Sequence, residues 1–282
     1  MAEEKKKKKL KTSVRKKILD ILIVVCIGVA VFSGYNLYKQ MKAKTVSKNE
    51  VANLIEEAVK RPASSDTSSA STEETVEEET VIDFDYLKSV NEDVCGWITL
   101  PDSGIDYPVV FGASTNPNRY GNVFYLRHLF TTGEYNDNGT IFIDTTNGRD
   151  FTDKVIAMYG HHNFDHTMFG DLQNYEDQSY YESHKVIHFY TPEGNYELYP
   201  VAGKRGTGTS GYIQFYFEND DAFLEYINSF LSESTFTSEE TITAGDQVML
   251  LSTCSYHVDD GRYAVICKMV KVQEEAENAD NS

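Results

Sequence analysis

Apolar residues follow three regimes along this 282-residue chain. The first is one unbroken run, Ile18 to Tyr35, interrupted only by Asp20 near its start and by small residues. That is close to the ~20 apolar residues a helix needs to cross a bilayer. The second regime, residues 39–80, is mostly polar. Within it Ser47 to Arg61 shows a weak helical period, with Val51, Leu54, Ile55, Ala58 and Val59 on one side. Ala63 to Glu79 is Ser, Thr and Glu with almost nothing apolar, too little to bury, so it predicts a disordered spacer. The third regime starts near Val81. A short helix over Asp83 to Val90, capped by Asp83, leads into β-rich runs separated by Gly, Asn, Asp and Pro. These are Cys95–Leu100, Tyr107–Phe111, Gly139–Ile143, Val155–Tyr159, Val186–Tyr190, Asn195–Gly203, Gln247–Ser252 and Arg262–Val272. Eight such runs with turn signals between them predict a mostly β fold, a closed or nearly closed eight-stranded barrel. One amphipathic helix interrupts them before the last two strands: Asp220 to Leu231, with Phe223, Leu224, Tyr226, Ile227 and Phe230 as its stripe. Tyr180 to His184 suggests another short helix, and Glu274 to Ser282 is an acidic tail.

Charge sharpens this layout. Residues 1–17 hold nine Lys or Arg, whereas from residue 45 onward there are 14 basic and 41 acidic residues. A basic flank before an apolar run orients it with the N-terminus cytoplasmic and everything after residue 38 outside. No Ala-x-Ala cleavage site follows the run, so it reads as a retained signal anchor rather than a removed peptide. The acidity of the remainder excludes nucleic acid as its partner. The expected organisation is a basic tail (1–17), a transmembrane anchor (18–38), a helical and disordered spacer (39–80), a folded domain (81–273) and the tail (274–282). Four cysteines, Cys26, Cys95, Cys254 and Cys267, show no spacing for a disulfide framework or a zinc site, and Cys95 and Cys267 read as small buried hydrophobes.

Candidate chemistry gathers at strand ends. Cys254 closes the apolar run Val248 to Leu251 and is followed by a short polar loop and then Arg262, at the head of the next strand. A thiol there has rigid strand behind it and open loop ahead, and an antiparallel pair brings Arg262 beside it. His161 follows another apolar run, Val155 to Met158, through Tyr159-Gly160. Nucleophile, proton carrier and cation on three strand ends form a plausible acyl-transfer site. His162, His166 and His257 are alternative imidazoles; His162 and His166 have the spacing of a metal pair, but Asn163 and Asp165 argue against helix there and no third ligand is evident. Glu218 to Asp221 fits no calcium loop, and acyl transfer by a thiol implies no cofactor. Asp259 or Asp260 could orient His161 or Arg262, or simply pair with the arginine at the surface.

Leu251-Ser252-Thr253-Cys254 resembles the Leu-x-Thr-Cys signature of sortases, the cysteine transpeptidases of Gram-positive cell surfaces. Tyr159-Gly160-His161-His162 with Thr167 to Leu172 resembles the histidine region of class B sortases, and Asp83 to Leu87, Gly96-Trp97-Ile98 and Ile105 to Val110 resemble the start of their catalytic domain. The resemblance runs in order over residues 81–273. It implies a sortase-type barrel with a helix before the last two strands. It also implies catalytic roles for Cys254, His161 and Arg262. Thr253 and Ser255 beside the cysteine and His257 in the following loop are candidates to line the substrate site, with a solvated loop residue as the alternative for His257. The implied reaction cleaves an LPxTG-like sorting signal of a secreted protein after its Thr, forms a thioacyl-enzyme, and passes the acyl group to a peptidoglycan precursor or another amine. The alternatives are a pilin-polymerising sortase, a hydrolytic cysteine peptidase, or a non-catalytic binding module on a sortase-like barrel.

Overall fold

The computed structural model describes residues 2–61, 80–119, 121–255 and 258–273, with side chains from residue 15. The acidic tail and the predicted disordered spacer, Ala63 to Glu79, lie outside these residues. The chain divides into two units, residues 1–46 and 47–282.

The first unit is helix. Helix α1 spans Ala2–Ala58, and its stretch within the first unit contains the apolar run, whose side chains from Ile18 to Phe32 are exposed. By length and composition it is the one helix among the described residues that could cross a membrane.

The second unit begins at Ser47 rather than at the expected Val81. The last turns of α1 bury Leu54 and Ala58 in one cluster with Leu87, Trp97, Phe130 and Phe142. The weak helical stripe is therefore a docking face. Immediately after it β1 (Val59–Lys60) pairs antiparallel with β2 (Val81–Ile82), and Arg61 reaches Asp106 at 2.6 Å. Helix α2 (Phe84–Val90) follows, and Asp83 caps it as expected by accepting the Tyr86 N–H at 2.8 Å.

The remaining strands are β3 (Val94–Thr99), β4 (Asp106–Phe111), β5 (Ile141–Ile143), β6 (Val155–Tyr159), β7 (Ile187–Thr191), β8 (Gly194–Thr207), β9 (Gln247–Cys254) and β10 (Gly261–Lys271). They close into a barrel in the order β10-β8-β7-β3-β4-β5-β6-β9. Each predicted run is a strand. The differences are at the ends: β8 continues four residues past Gly203 and β9 two past Ser252. These polar ends find their ladder partners in β10, Lys204 opposite Ala264 and Cys254 opposite Arg262.

Two clusters explain why β9 and β10 are apolar on both faces. Met249, Leu251, Tyr263 and Val265 point into the barrel, whereas Val248, Leu250, Ala264 and Ile266 point outward under α5 (Asp220–Leu231). A strand covered on both sides loses the polar alternation of a half-exposed one. Helix α5 is capped by Asn219, which accepts the Ala222 N–H at 2.9 Å, and buries Phe223, Tyr226, Ile227 and Phe230. A short helix α3 (Asn122–Tyr125), a 3-10 turn at Gly170–Glu176 and α4 (Gln178–Ser183) complete the unit.

Candidate active site

Strand register assembles the site. Ser255 N–H donates to the Gly261 carbonyl at 2.8 Å, so the neighbouring pair, Cys254 opposite Arg262, is a non-hydrogen-bonded one. In such pairs the backbones approach most closely and the facing side chains share one side of the sheet. That side is the outer one, because Cys254 has the parity of Leu250 and Ser252. Strand β6 runs parallel to β9 on the other flank, with Tyr159 level with Ser252. Gly160 N–H donates to the Ser252 carbonyl at 3.2 Å and continues the pairing. Carried two residues further, the register sets His161 level with Cys254. Thiol, imidazole and guanidinium thus sit at one end of three adjacent strands, β6, β9 and β10.

The histidine is fixed by a backbone carbonyl. Nε2 of His161 lies 2.6 Å from the Leu126 carbonyl oxygen, and since a carbonyl only accepts, Nε2 carries the proton. The neutral ring therefore offers the lone pair of Nδ1. Burial lowers the His161 pKa below its ordinary 6.5, opposed by the Leu126 hydrogen bond. His162 turns elsewhere: its Nδ1 donates to the Cys254 carbonyl at 3.1 Å, and burial lowers its pKa too. It holds the backbone of the cysteine, a contact that the sequence did not indicate. His166 pairs with Asp171 at 2.5 Å, and the described residues contain no group of three His, Cys, Asp or Glu that could hold a metal.

Behind Cys254 on the outer face, Ser252 Oγ meets Tyr212 Oη at 2.7 Å, and Tyr226 of α5 donates to the Tyr212 carbonyl at 3.1 Å. Tyr212 is thereby held on the outer face beside Ser252, two residues before the cysteine, with burial raising its pKa. It lies in a β8–α5 connection carrying no motif, so no pattern in the chain marks it. Thr253 faces the opposite way: it is buried, and its hydroxyl donates to the Gly160 carbonyl at 2.9 Å, tying β9 to β6. Ser255 is also buried, 4% exposed. Neither shares the outer face with Cys254, and His257 lies outside the described residues. Cys95 and Cys267 are buried in the barrel and unbridged, and burial raises the pKa of each.

A thiol level with a neutral imidazole on one strand and a guanidinium on the other can attack an acyl carbon, shuttle a proton and stabilise an oxyanion. Known proteins point the same way. The family model for the sortase domain matches residues 98–270. The chain belongs to the sortase family of cysteine transpeptidases and is of the class B type. Sortase B of Staphylococcus aureus is 34% identical over 191 residues, covering 67% of this chain and 75% of that protein. Sortase B of Listeria monocytogenes is 28% identical over 251 residues, covering 88% and 95%. The structure of the S. aureus sortase B–substrate complex superposes with a TM-score of 0.62 at 34% identity, covering 67% of this chain and 85% of that one. A sortase B structure complexed with triglycine superposes with a TM-score of 0.61, again at 34% identity, covering 67% of this chain and 86% of that one.

Proposed function

We propose that this enzyme transfers the acyl part of a sorting signal on a secreted protein to an amine of the cell wall, with Cys254, His161 and Arg262 as its catalytic residues. The observation that carries the reading is the register: Arg262 directly opposite Cys254, and His161 on the neighbouring strand end. As Sγ of Cys254 attacks the carbonyl carbon of the signal's Thr, its proton passes to Nδ1 of His161. The guanidinium of Arg262 stabilises the oxyanion. Collapse breaks the C–N bond, and Nδ1 returns the proton to the leaving amine, which departs with the downstream peptide. An incoming amine then attacks the thioester, gives its proton to Nδ1, and Cys254 leaves as the thiol.

The substrate complex of S. aureus sortase B supports a peptide signal, and the triglycine complex supports an amine acceptor. The apolar first unit, with its basic flank, supports a single-pass anchor with the barrel outside the cell. The test uses the full chain in detergent, wild type and Cys254→Ala, with peptides bearing LPxTG-, NPxTN- and SPxTG-type cores, with and without triglycine or a diamino acid. Cleavage that needs Cys254 and shifts to ligated product with amine is expected. Cleavage of no peptide, together with no covalent adduct at Cys254, would overturn the reading.

A further inference from the structure

Asp260 and Gly261 hold the guanidinium of Arg262, the residue opposite Cys254 in the β9–β10 ladder. Nη2 of Arg262 pairs with Asp260 Oδ1 at 2.9 Å, and Nη1 donates to the carbonyls of Asp260 at 3.2 Å and Gly261 at 2.9 Å. Asp260 has φ 56°, the left-handed region that Asp, Asn and Gly enter most readily. In this conformation its carbonyl and its carboxylate both meet the arginine two residues on. The same carbonyl accepts the Gly208 N–H at 3.0 Å, and a Cβ at Gly208 would come within 2.5 Å of Asp260 Oδ2. Asp260 therefore joins the β9–β10 loop, the turn that follows β8, and the arginine.

We propose that Asp260 is the positioning residue for Arg262: it fixes the guanidinium at the active-site end of β10 before substrate arrives. The inference rests on the transpeptidase reading above. Arginine has a long, rotamer-rich side chain, and one that must be ordered during the reaction raises the barrier. Holding two of its nitrogens on a loop beforehand removes that cost, while a five-donor group keeps N–H bonds to spare for an oxyanion. Such pre-ordering acts on kcat rather than on peptide binding. The pair is also half-exposed, with 30% and 50% of the two side chains accessible, so it contributes little to overall stability. A contact that matters for rate and hardly for stability is the signature to look for.

The test measures kcat and KM for the sorting peptide, and the thermal midpoint, on the full chain in detergent. Asp260→Asn keeps the left-handed backbone and removes the charge. It is expected to lower kcat roughly five-fold, the scale of an exposed ion pair, with KM and midpoint unchanged. Asp260→Gly also suits the backbone and leaves a space, so added formate should restore part of its kcat while leaving wild type unaffected. A purely structural role would not give that rescue. With wild type active, an unchanged or raised kcat in Asp260→Asn, or Asp260→Gly that formate cannot rescue, would overturn the proposal alone. An inactive wild type would overturn the transpeptidase reading and this inference with it.

Discussion

Burial holds His161 in the neutral form at pH 7, with its pKa depressed below 6.5. The consequence for stability has a definite sign. As pH falls through 6.5, the unfolded chain takes up a proton that the folded ring resists, so the unfolded state binds more protons and stability drops. Stability from this group is fully present above 6.5 and is lost below it, until the folded ring also protonates. His162, depressed for the same reason, adds a loss of the same sign. Glu50 acts oppositely, because burial raises its carboxyl pKa above 4.5. Both contributions are common to wild type and His161→Gln, so the difference between them isolates His161. The thermal midpoint of wild type should fall more steeply than that of His161→Gln between about pH 7.5 and about pH 5. Equal slopes would mean that His161 is not held neutral by the fold.

At the scale of elements, the segment from α3 to β5 builds the support for that histidine. Leu126 supplies the carbonyl, and Gly139 lies beneath it at φ 60°, where an added Cβ would fall 2.3 Å from the Leu126 oxygen. Alanine there meets both a disfavoured backbone and a backbone oxygen that can move only at a cost. Gly139→Ala should cost about 2 kcal/mol of stability. It should also lower kcat further than that loss explains, because the carbonyl that fixes Nε2 must move. Denaturant midpoints and peptide cleavage measured together check it, and wild-type values in both would refute it. This support could not be read from the chain. The eight strands were legible because apolar runs such as Val155 to Met158 are bounded by turn residues, and the strand-end positions of Cys254, His161 and Arg262 were legible because each lies beside such a run. A carbonyl has no side-chain signature, so Leu126 was silent, as was the backbone role of His162. The polar ends of β8 and β9 looked like loop because only the register with β10 makes them strand. The alternation that turns Thr253 and Ser255 away from the outer face follows from that extension.

For the molecule as a whole, the barrel unit starts at Ser47, ahead of the acidic stretch. On either side of the acidic stretch, β1 and β2 pair, Val59 with Ile82 and Lys60 with Val81. The chain thus joins the barrel unit ahead of the acidic stretch, through the last turns of α1. Those turns carry weight. Leu54 and Ala58 are buried against Leu87, Trp97 and Phe130. Glu50 accepts the Thr131 N–H at 2.8 Å and also the Thr131 hydroxyl, bracing the segment that carries Leu126 and Gly139. Removing a single buried leucine side chain typically costs about 2–5 kcal/mol, a large share of the ~5–15 kcal/mol that holds a domain folded. A protein comprising residues 47–282 should therefore unfold at a clearly higher urea concentration than one comprising 81–282. The shorter one should also lose sorting-peptide cleavage disproportionately, because the brace behind His161 goes with the helix. Matching urea midpoints would show that α1 merely lies against the barrel; a lower midpoint with cleavage intact would show that it stabilises the fold without supporting the site.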